Sequence, residues 1–269
     1  MKVSVGQFRP TGDVAENVAT MRRLAGEAAT SGAELIVFPE ESMFSIGLVE
    51  GPLAVAVNAA WSGFVQQLSF LAAEINISVV AGGYEGSGED RPYNTLVIVD
   101  ATGKIVGTYR KLHLYDAFSY QESTRIKAGD GVPLVVPIGG LNVGVMTCYD
   151  LRFPELAREL ADLNADVICV PAAWFKGEHK IDHWETLLKA RAIENTVWVA
   201  AAGTSGGHTI GHSVVLDPMG LPQAFLNDEE EGTATADVTR KRIDEVREFL
   251  PVLKNRRFDR NNRIVDAAL

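Results

Sequence analysis

Only two cysteines, Cys148 and Cys169, occur in 269 residues. So few exclude a disulfide scaffold. The chain also passes from Met1-Lys2 straight into the strand-like Val3–Phe8, with no signal-peptide core, and a reducing, cytoplasmic location is expected. Basic charge is short as well: 25 Lys and Arg against 35 Asp and Glu leave a net charge of -10. That argues against a broad nucleic-acid surface, and an anionic small substrate would need its own local basic pocket. No apolar run approaches membrane-spanning length, so no membrane partner is expected. The histidines, His113, His179, His183, His208 and His212, stand in no context that marks a catalytic base. His179 and His183 have a helical metal-pair spacing, but no third ligand pattern accompanies them and no metal is expected. The G-x-S-x-G elbow of one class of serine hydrolase is missing.

What is present is ordinary globular composition, with enough apolar residues (46%) for a sizeable core. Val3–Phe8 reads as a strand. Asp13 caps a helix to about Ser31, with Val18, Met21, Leu24, Ala25 and Ala28 at helical spacing. Leu35–Phe38 is a continuous apolar run, the sign of a strand covered on both faces, and Pro39 ends it. A helix over 53–75, a strand over Ser78–Gly83 and a hairpin of Asn94–Val99 with Lys104–Tyr109 follow. Arg110–Gly131 is a long loop, a common home of function. Strands are expected at Leu134–Val136, Leu141–Met146, Ala165–Pro171, Val197–Ala202, His212–Leu216 and Gly232–Val238. Helices are expected from Leu151, over His183–Asn195 and over Thr239–Phe249. Ala33–Pro39 and Ala165–Pro171 echo each other: a small and an acidic residue, four apolar residues, then proline. The echo suggests two similar strand–helix layers that deliver residues at strand tips. No linker or composition break interrupts the chain, so 1–269 is read as one α/β domain, with 250–269 as a C-terminal tail.

Cys148 lies where an apolar alternating run gives way to a helix start, beside amide N–H groups that favour a thiolate. Cys169, inside VICVP, reads as structural. Glu40 follows Phe38-Pro39 at one strand tip, and Lys111 follows Tyr109-Arg110 at the end of the hairpin. Singly, each has an ordinary reading: a surface carboxylate, a solvated lysine and a small buried hydrophobe. Together they make a nucleophile, a base and a cation that could share one rim.

The motifs that join them are FPE at 38–40, YNT at 93–95, YRKLHL at 109–114, YQES at 120–123, GVMTCYDLRFPEL at 144–156 and HWETLLKARAIEN at 183–195. GHS at 211–213 and DPMG at 217–220 complete the set. In these the chain resembles the nitrilase, or carbon–nitrogen hydrolase, superfamily over nearly its whole length. The resemblance implies a four-layer αββα sandwich, two facing mixed sheets flanked by helices, usually paired as a homodimer that the tail would help to form. It implies Cys148 as nucleophile, Glu40 as general base, Lys111 and the Tyr149 backbone N–H as oxyanion stabilisers, and Glu122 as the second glutamate that positions Lys111 and substrate. It implies no metal or organic cofactor. The chemistry agrees on one condition: burial must raise the Glu40 pKa toward working pH, while Lys111 favours the thiolate.

The RFPEL, HWE and LPVLKNRR segments look most like the amidase branch of omega-amidases and deaminated-glutathione amidases. That implies a small linear amide substrate, first a dicarboxylate monoamide such as 2-oxoglutaramate or succinamate, and alternatively deaminated glutathione or a nitrile. An inactive scaffold is disfavoured because all of Glu40, Lys111, Glu122 and Cys148 are in place. Arg152, Lys176, Lys180 and Arg191 are candidates to meet a substrate carboxylate, and Trp174 to wall the pocket. FKGEHKID at 175–182 replaces the small, Gly/Thr-rich loop of the nearer amidases.

Overall fold

Two six-stranded sheets carry the structure, a computed structural model that describes residues 1–227 and 231–258. The strands are β1 (Lys2–Gln7), β2 (Leu35–Val37), β3 (Ser78–Glu85), β4 (Tyr93–Val99), β5 (Ile105–Arg110), β6 (Asp116–Ala117), β7 (Tyr120–Gln121), β8 (Leu134–Ile138), β9 (Leu141–Val145), β10 (Val167–Ala172), β11 (Trp198–Gly203), β12 (Val214–Leu216), β13 (Pro222–Phe225) and β14 (Gly232–Asp237). The helices are α1 (Val14–Thr30), α2 (Leu53–Ile75), α3 (Pro154–Asp162), α4 (Lys180–Asn195) and α5 (Arg240–Phe249). One sheet has the order β14-β1-β2-β3-β4-β5, the other β13-β12-β11-β10-β9-β8. In each, consecutive parallel strands (β1-β2-β3 and β9-β10-β11) are flanked by antiparallel ones. The sheets face each other, β1 against β11 and β2 against β10, with α1 and α2 outside one and α3 and α4 outside the other. This is the expected αββα sandwich.

Alternation of side chains explains the layers. Val3, Val5, Leu35 and Val37 point into the core between the sheets, while Ile36 and Phe38 pack under α1 and α2. The Ala33–Pro39 and Ala165–Pro171 echo is thereby accounted for: β2 and β10 are the middle parallel strands of their sheets, covered on both faces. Pro171 lies inside β10 rather than after it. Pairing of β10 with β9 stops at Cys169 and Val145, so the missing proline N–H costs no ladder bond. The divergence of β9 from β10 at this point is also where the chain turns into Cys148.

Helix ends follow local chemistry. The Asp13 carboxylate accepts from the Ala15 and Glu16 N–H groups at 2.7 and 3.0 Å, as a capping residue should. Pro154 occupies the first position of α3, and a 3-10 turn over Cys148–Arg152 precedes it, so the expected helix from Leu151 begins later. Helix α4 begins at Lys180, three residues before the expected His183. The loop over Arg110–Gly131 contains the small β6–β7 hairpin, turned by Phe118 and Ser119 at φ 53° and 63°, and a 3-10 turn over Glu122–Thr124. The edge strand β13 was not expected from sequence.

Of the tail, residues 250–258 are described, and Arg256 pairs with Asp162 of α3 at 2.7 Å; residues 259–269 lie outside the described part. Among the described residues no helix is long and apolar enough to cross a membrane.

One glycine sets the distance between sheet and site. A Cβ on Gly82 of β3 would lie 2.1 Å from the Glu40 carbonyl oxygen and 2.5 Å from its Cα. Gly82→Ala should therefore push Glu40 off its position, destabilise the fold by about 1–3 kcal/mol and sharply reduce activity. Gly63, exposed within α2 with nothing within 4 Å of its Cβ position, is the control. Gly63→Ala should stabilise by about 0.5–1 kcal/mol. Denaturant melts of both variants test the pair.

Candidate active site

Cys148, Glu40, Lys111 and Glu122 come together at one end of the sandwich. Glu40 stands just past β2, Lys111 just past β5, Glu122 at the first position of the 3-10 turn after β7, and Cys148 just past β9. All are buried, Lys111 to 2% exposure. Lys111 Nζ donates to Glu40 Oε1 at 2.8 Å and to Glu122 Oε2 and Oε1 at 2.9 and 3.2 Å. The Cys148 thiol hydrogen-bonds the Glu40 carboxylate.

The remaining acceptor positions are filled by backbone and amide donors. Ala173 N–H, at the tip of β10, donates to Glu40 Oε2 at 2.8 Å, linking one sheet to the other. Tyr115 N–H donates to Glu122 Oε2 at 2.6 Å. Asn94 Nδ2, on β4, donates to Glu40 at 2.7 Å and to Glu122 at 3.3 Å. Asn94 belongs to the YNT motif, yet sequence reasoning assigned it no role.

The cysteine sits on a strained turn. Its φ is 44°, a left-handed conformation that costs a non-glycine residue about 1–3 kcal/mol and persists only where neighbours over-determine it. Asp150 supplies that constraint. It is fully buried, and its Oδ2 accepts from Thr147 N–H at 2.9 Å and Tyr109 O–H at 2.7 Å. Its Oδ1 accepts from His113 N–H at 3.0 Å and meets His113 Nδ1 at 2.8 Å. The His113 ring stacks on Phe153 at 3.7 Å. Arg191 holds the turn from behind, donating to the Leu151 carbonyl at 3.1 Å and pairing with Glu194. Arg191 is thus engaged in structure and not aimed at substrate.

The other expected substrate contacts separate. Trp174 lines the cavity beside Cys148 and also packs against Trp184, its Nε1–H donating to the Lys180 carbonyl at 2.9 Å. Lys180 lines the cavity, its Nζ 3.1 Å from the Tyr115 hydroxyl and over the Phe118 and Trp174 rings. Arg152 stacks over Trp174 at 4.8 Å, and its buried Nε has no hydrogen-bond partner among the described residues. Lys176 is exposed and does not line the cavity. It precedes α4, whereas Lys180 opens that helix and is turned inward. Tyr149 lines the cavity one residue past Cys148, in the first turn of the 3-10 segment.

Electrostatics depart from the expectation for Glu40 and Cys148. Burial pushes Glu40 up, but the Lys111 charge, its hydrogen bond and the Ala173 and Cys148 donors more than offset it, and the pKa lies below the usual value. Burial, with the Glu40 charge beside it, holds the Cys148 thiol well above its usual pKa; Lys111 only partly opposes this. Burial works against the Lys111 charge, yet Glu122 and Glu40 raise its pKa well above the ordinary range. The resting site is therefore thiol, carboxylate and ammonium, not thiolate and carboxylic acid. Cys169, buried in β10, is pushed up to about 12 by burial alone, as suits an inert core cysteine.

Glu41, which sequence reasoning passed over, is the carboxyl group held near neutrality. Burial raises its pKa to about 7, aided by the Glu40 charge and opposed by hydrogen bonds from Ser45, Tyr84 and Ile46. The folded value lies above the unfolded one, so its contribution to stability is full below about pH 4.5 and is lost as pH rises through about 7. Glu41→Gln should flatten the pH–stability curve over that window and leave the variant relatively more stable at pH about 8. Urea melts across the window check the sign.

Comparison with known proteins agrees with this geometry. The family model described as carbon–nitrogen hydrolase matches residues 2–248. A deaminated glutathione amidase of Escherichia coli O157:H7 is 39% identical over 259 residues, 96% of this chain and 98% of the relative. A protein of the same name from Synechocystis is 36% identical, over 91% of this chain and 94% of the relative. A carbon–nitrogen hydrolase from Helicobacter pylori G27 superposes with a TM-score of 0.88 over 96% of this chain and 95% of its own, at 24% identity. An amidase from Nesterenkonia sp. AN1 superposes with a TM-score of 0.78 over 91% and 92%, at 26% identity. That structure is a glutamate-to-glutamine variant with the acetamide moiety of fluoroacetamide added covalently at the active-site cysteine. The chain belongs to the carbon–nitrogen hydrolase family and is an amide-cleaving enzyme.

Proposed function

We propose that this amidase hydrolyses a linear amide of the deaminated-glutathione type through a thioester on Cys148. The buried contact of Lys111 with both glutamates, next to a thiol hydrogen-bonded to one of them, carries the chemistry. The substrate class is supported by the deaminated glutathione amidases at 36–39% identity. They move the reading from a dicarboxylate monoamide, first in expectation from the sequence, to its larger relative.

Glu40 takes the thiol proton as Cys148 Sγ attacks the amide carbonyl. Because the thiol is held protonated at rest, transfer and attack are coupled; Lys111 and the Tyr149 N–H lower the barrier by stabilising the oxyanion. Glu40 then returns the proton to the departing nitrogen, the amine leaves and a thioester remains. Water, deprotonated by Glu40, attacks the thioester; the acid departs and the thiol is restored. Glu122 holds Lys111, and Asn94 orients both carboxylates. Lys180 and, behind Trp174, Arg152 offer positive charge to an acyl-side carboxylate. The active form is a cytoplasmic homodimer, and the catalytic groups need no metal or cofactor.

A substrate panel tests this reading: ammonia or amine release from deaminated glutathione, 2-oxoglutaramate, succinamate, glutamine and simple nitriles. Deaminated glutathione should give the highest kcat/KM. Absence of turnover on every amide with a folded protein would reject the amidase chemistry, and a clear preference for 2-oxoglutaramate would restore the omega-amidase assignment. Cys148→Ala should abolish turnover. Glu40→Gln should slow acylation by about 10²–10⁴-fold.

A further inference from the structure

Glu41 is a buried carboxyl group that the mechanism above leaves idle. The space against Cys148 is about 40 Å³, and a larger cleft of about 510 Å³ lies beside it. Glu41, Ile46, Tyr120 and Phe175 line both. Three buried carboxyl groups, Glu40, Glu41 and Glu122, thus border the smaller space, and the Lys111 ammonium is bonded to two of them, Glu40 and Glu122. Glu41 has no ion-pair partner among the described residues; its Oε1 accepts from the Tyr84 hydroxyl at 3.1 Å and the Ile46 N–H at 3.4 Å, and the Ser45 hydroxyl is a third, equally uncharged partner. Burial and the neighbouring Glu40 carboxylate, with only uncharged donors to oppose them, favour the protonated form.

The groups around Glu41 divide by charge. Lys111 is held by Glu40 and Glu122, and Lys180, on the Trp174 side, lies over the Phe118 and Trp174 rings. Arg125 is bonded to the Ile46 carbonyl and the Tyr120 hydroxyl, while Arg9 and His208 line the wider cleft. The phenols of Tyr84, Tyr115 and Tyr120 and the Cys148 thiol are all held above their usual pKa values and stay uncharged at neutral pH. Tyr149 completes the wall. Glu40, Glu122 and Lys111 together already leave one negative charge, and ionising Glu41 adds another beside a space with room for few atoms. An incoming carboxylate would be strongly repelled there, because the site is buried and the charges are close. We propose that Glu41 is a charge gate: protonated, it admits a carboxylate-bearing amide to Cys148, and ionised, it repels that amide but not an uncharged one. The folded pKa of about 7 puts the change at neutral pH. The gate rests on the amidase reading above, with its acyl-side carboxylate, and adds a control that reading does not require.

The test compares two amides matched in length, one ending in a carboxylate and one in a carboxamide, such as succinamate and succinamide. The ratio of their kcat/KM values cancels any titration of Glu40 or Cys148, which both substrates share. In wild type the carboxylate-to-carboxamide ratio should fall about tenfold between about pH 6 and about pH 8. In Glu41→Gln it should stay flat. A wild-type ratio that does not fall overturns the gate. So does a fall that persists in Glu41→Gln, which would assign it to Lys180 or to a histidine bordering the cleft. Should Glu41→Gln fail to fold, Tyr84→Phe decides: it removes a donor to the Glu41 carboxylate, so the midpoint should move to higher pH, and an unmoved midpoint overturns the gate. Binding supplies a readout without turnover. In Cys148→Ala protein at about pH 7.5, succinamate should bind with proton uptake, read by calorimetry in buffers of different ionisation enthalpy, and succinamide should not. Equal uptake for both, or none for either, overturns the gate. Uptake specific to succinamate, with no turnover of any amide by the wild-type enzyme, defeats the amidase chemistry alone.

Discussion

A single buried ammonium group holds the site together. Lys111 lies between Glu40 and Glu122 where water cannot solvate any of them, and removing such charges from water costs several kcal/mol each. The arrangement survives because nearly every lone pair is answered: Ala173 N–H, Tyr115 N–H and Asn94 Nδ2 complete what Lys111 leaves open. These donors come from both sheets, so the cluster forms only if the sandwich closes correctly. The same cation sets the acid–base state. It keeps Glu40 ionised despite burial, and burial together with that carboxylate's charge keeps the neighbouring thiol protonated. The resting cluster is thus held as thiol, carboxylate and ammonium.

Strain at Cys148 and satisfaction at Asp150 are two halves of one device. The left-handed cysteine would relax if its turn were free. Asp150 gathers Thr147, Tyr109 and His113 onto one fully buried carboxylate, so relaxing the turn would break bonds to both sheets' connecting segments. Rigid placement of this kind is what preorganised catalysis requires. Gly82 plays the complementary part beneath Glu40, where any side chain would collide with the Glu40 backbone.

The layered fold and the residues of the buried cluster were largely legible in the sequence. Runs such as Leu35–Val37 and Val167–Val170 announce strands covered on both faces, and residues just past strand tips are where ligands meet open α/β sheets. Glu40, Lys111 and Cys148 stand at such tips. Their assembly into one site, and the place of Glu122, came from ordered motifs, not from periodicity. Less visible were residues whose meaning lies in a partner distant along the chain. Asn94 is an unremarkable strand amide until Glu40 and Glu122 meet it, 54 and 28 residues away. Glu41 looks like a duplicate of Glu40, yet with both buried only Glu40 has Lys111 against it, so its pKa falls while that of Glu41 rises. Local detail mattered too: Lys176 and Lys180 share one polar loop in sequence, and only the earlier start of α4 turns one inward and leaves the other in solvent. The strand β13 opens with Pro222, which suits an edge strand but reads as a breaker.

Chemistry and selectivity are built from different parts of this chain. The buried cluster of Glu40, Lys111, Glu122 and Cys148 comes from strand ends and is nearly saturated with internal hydrogen bonds. The segments that border the cluster, the β6–β7 hairpin with Tyr120 and the Trp174–Lys180 connection, line the rest of the cavity at Cys148. The narrowness of the space at Cys148 sharpens the division. A substrate of any size must extend away from the sulfur, and Glu41 and Phe175 line both this space and a larger cleft beside it. Selectivity among amides can then change through these loops while Lys111, Glu40, Glu122 and Cys148 stay fixed by the sandwich they help to lock.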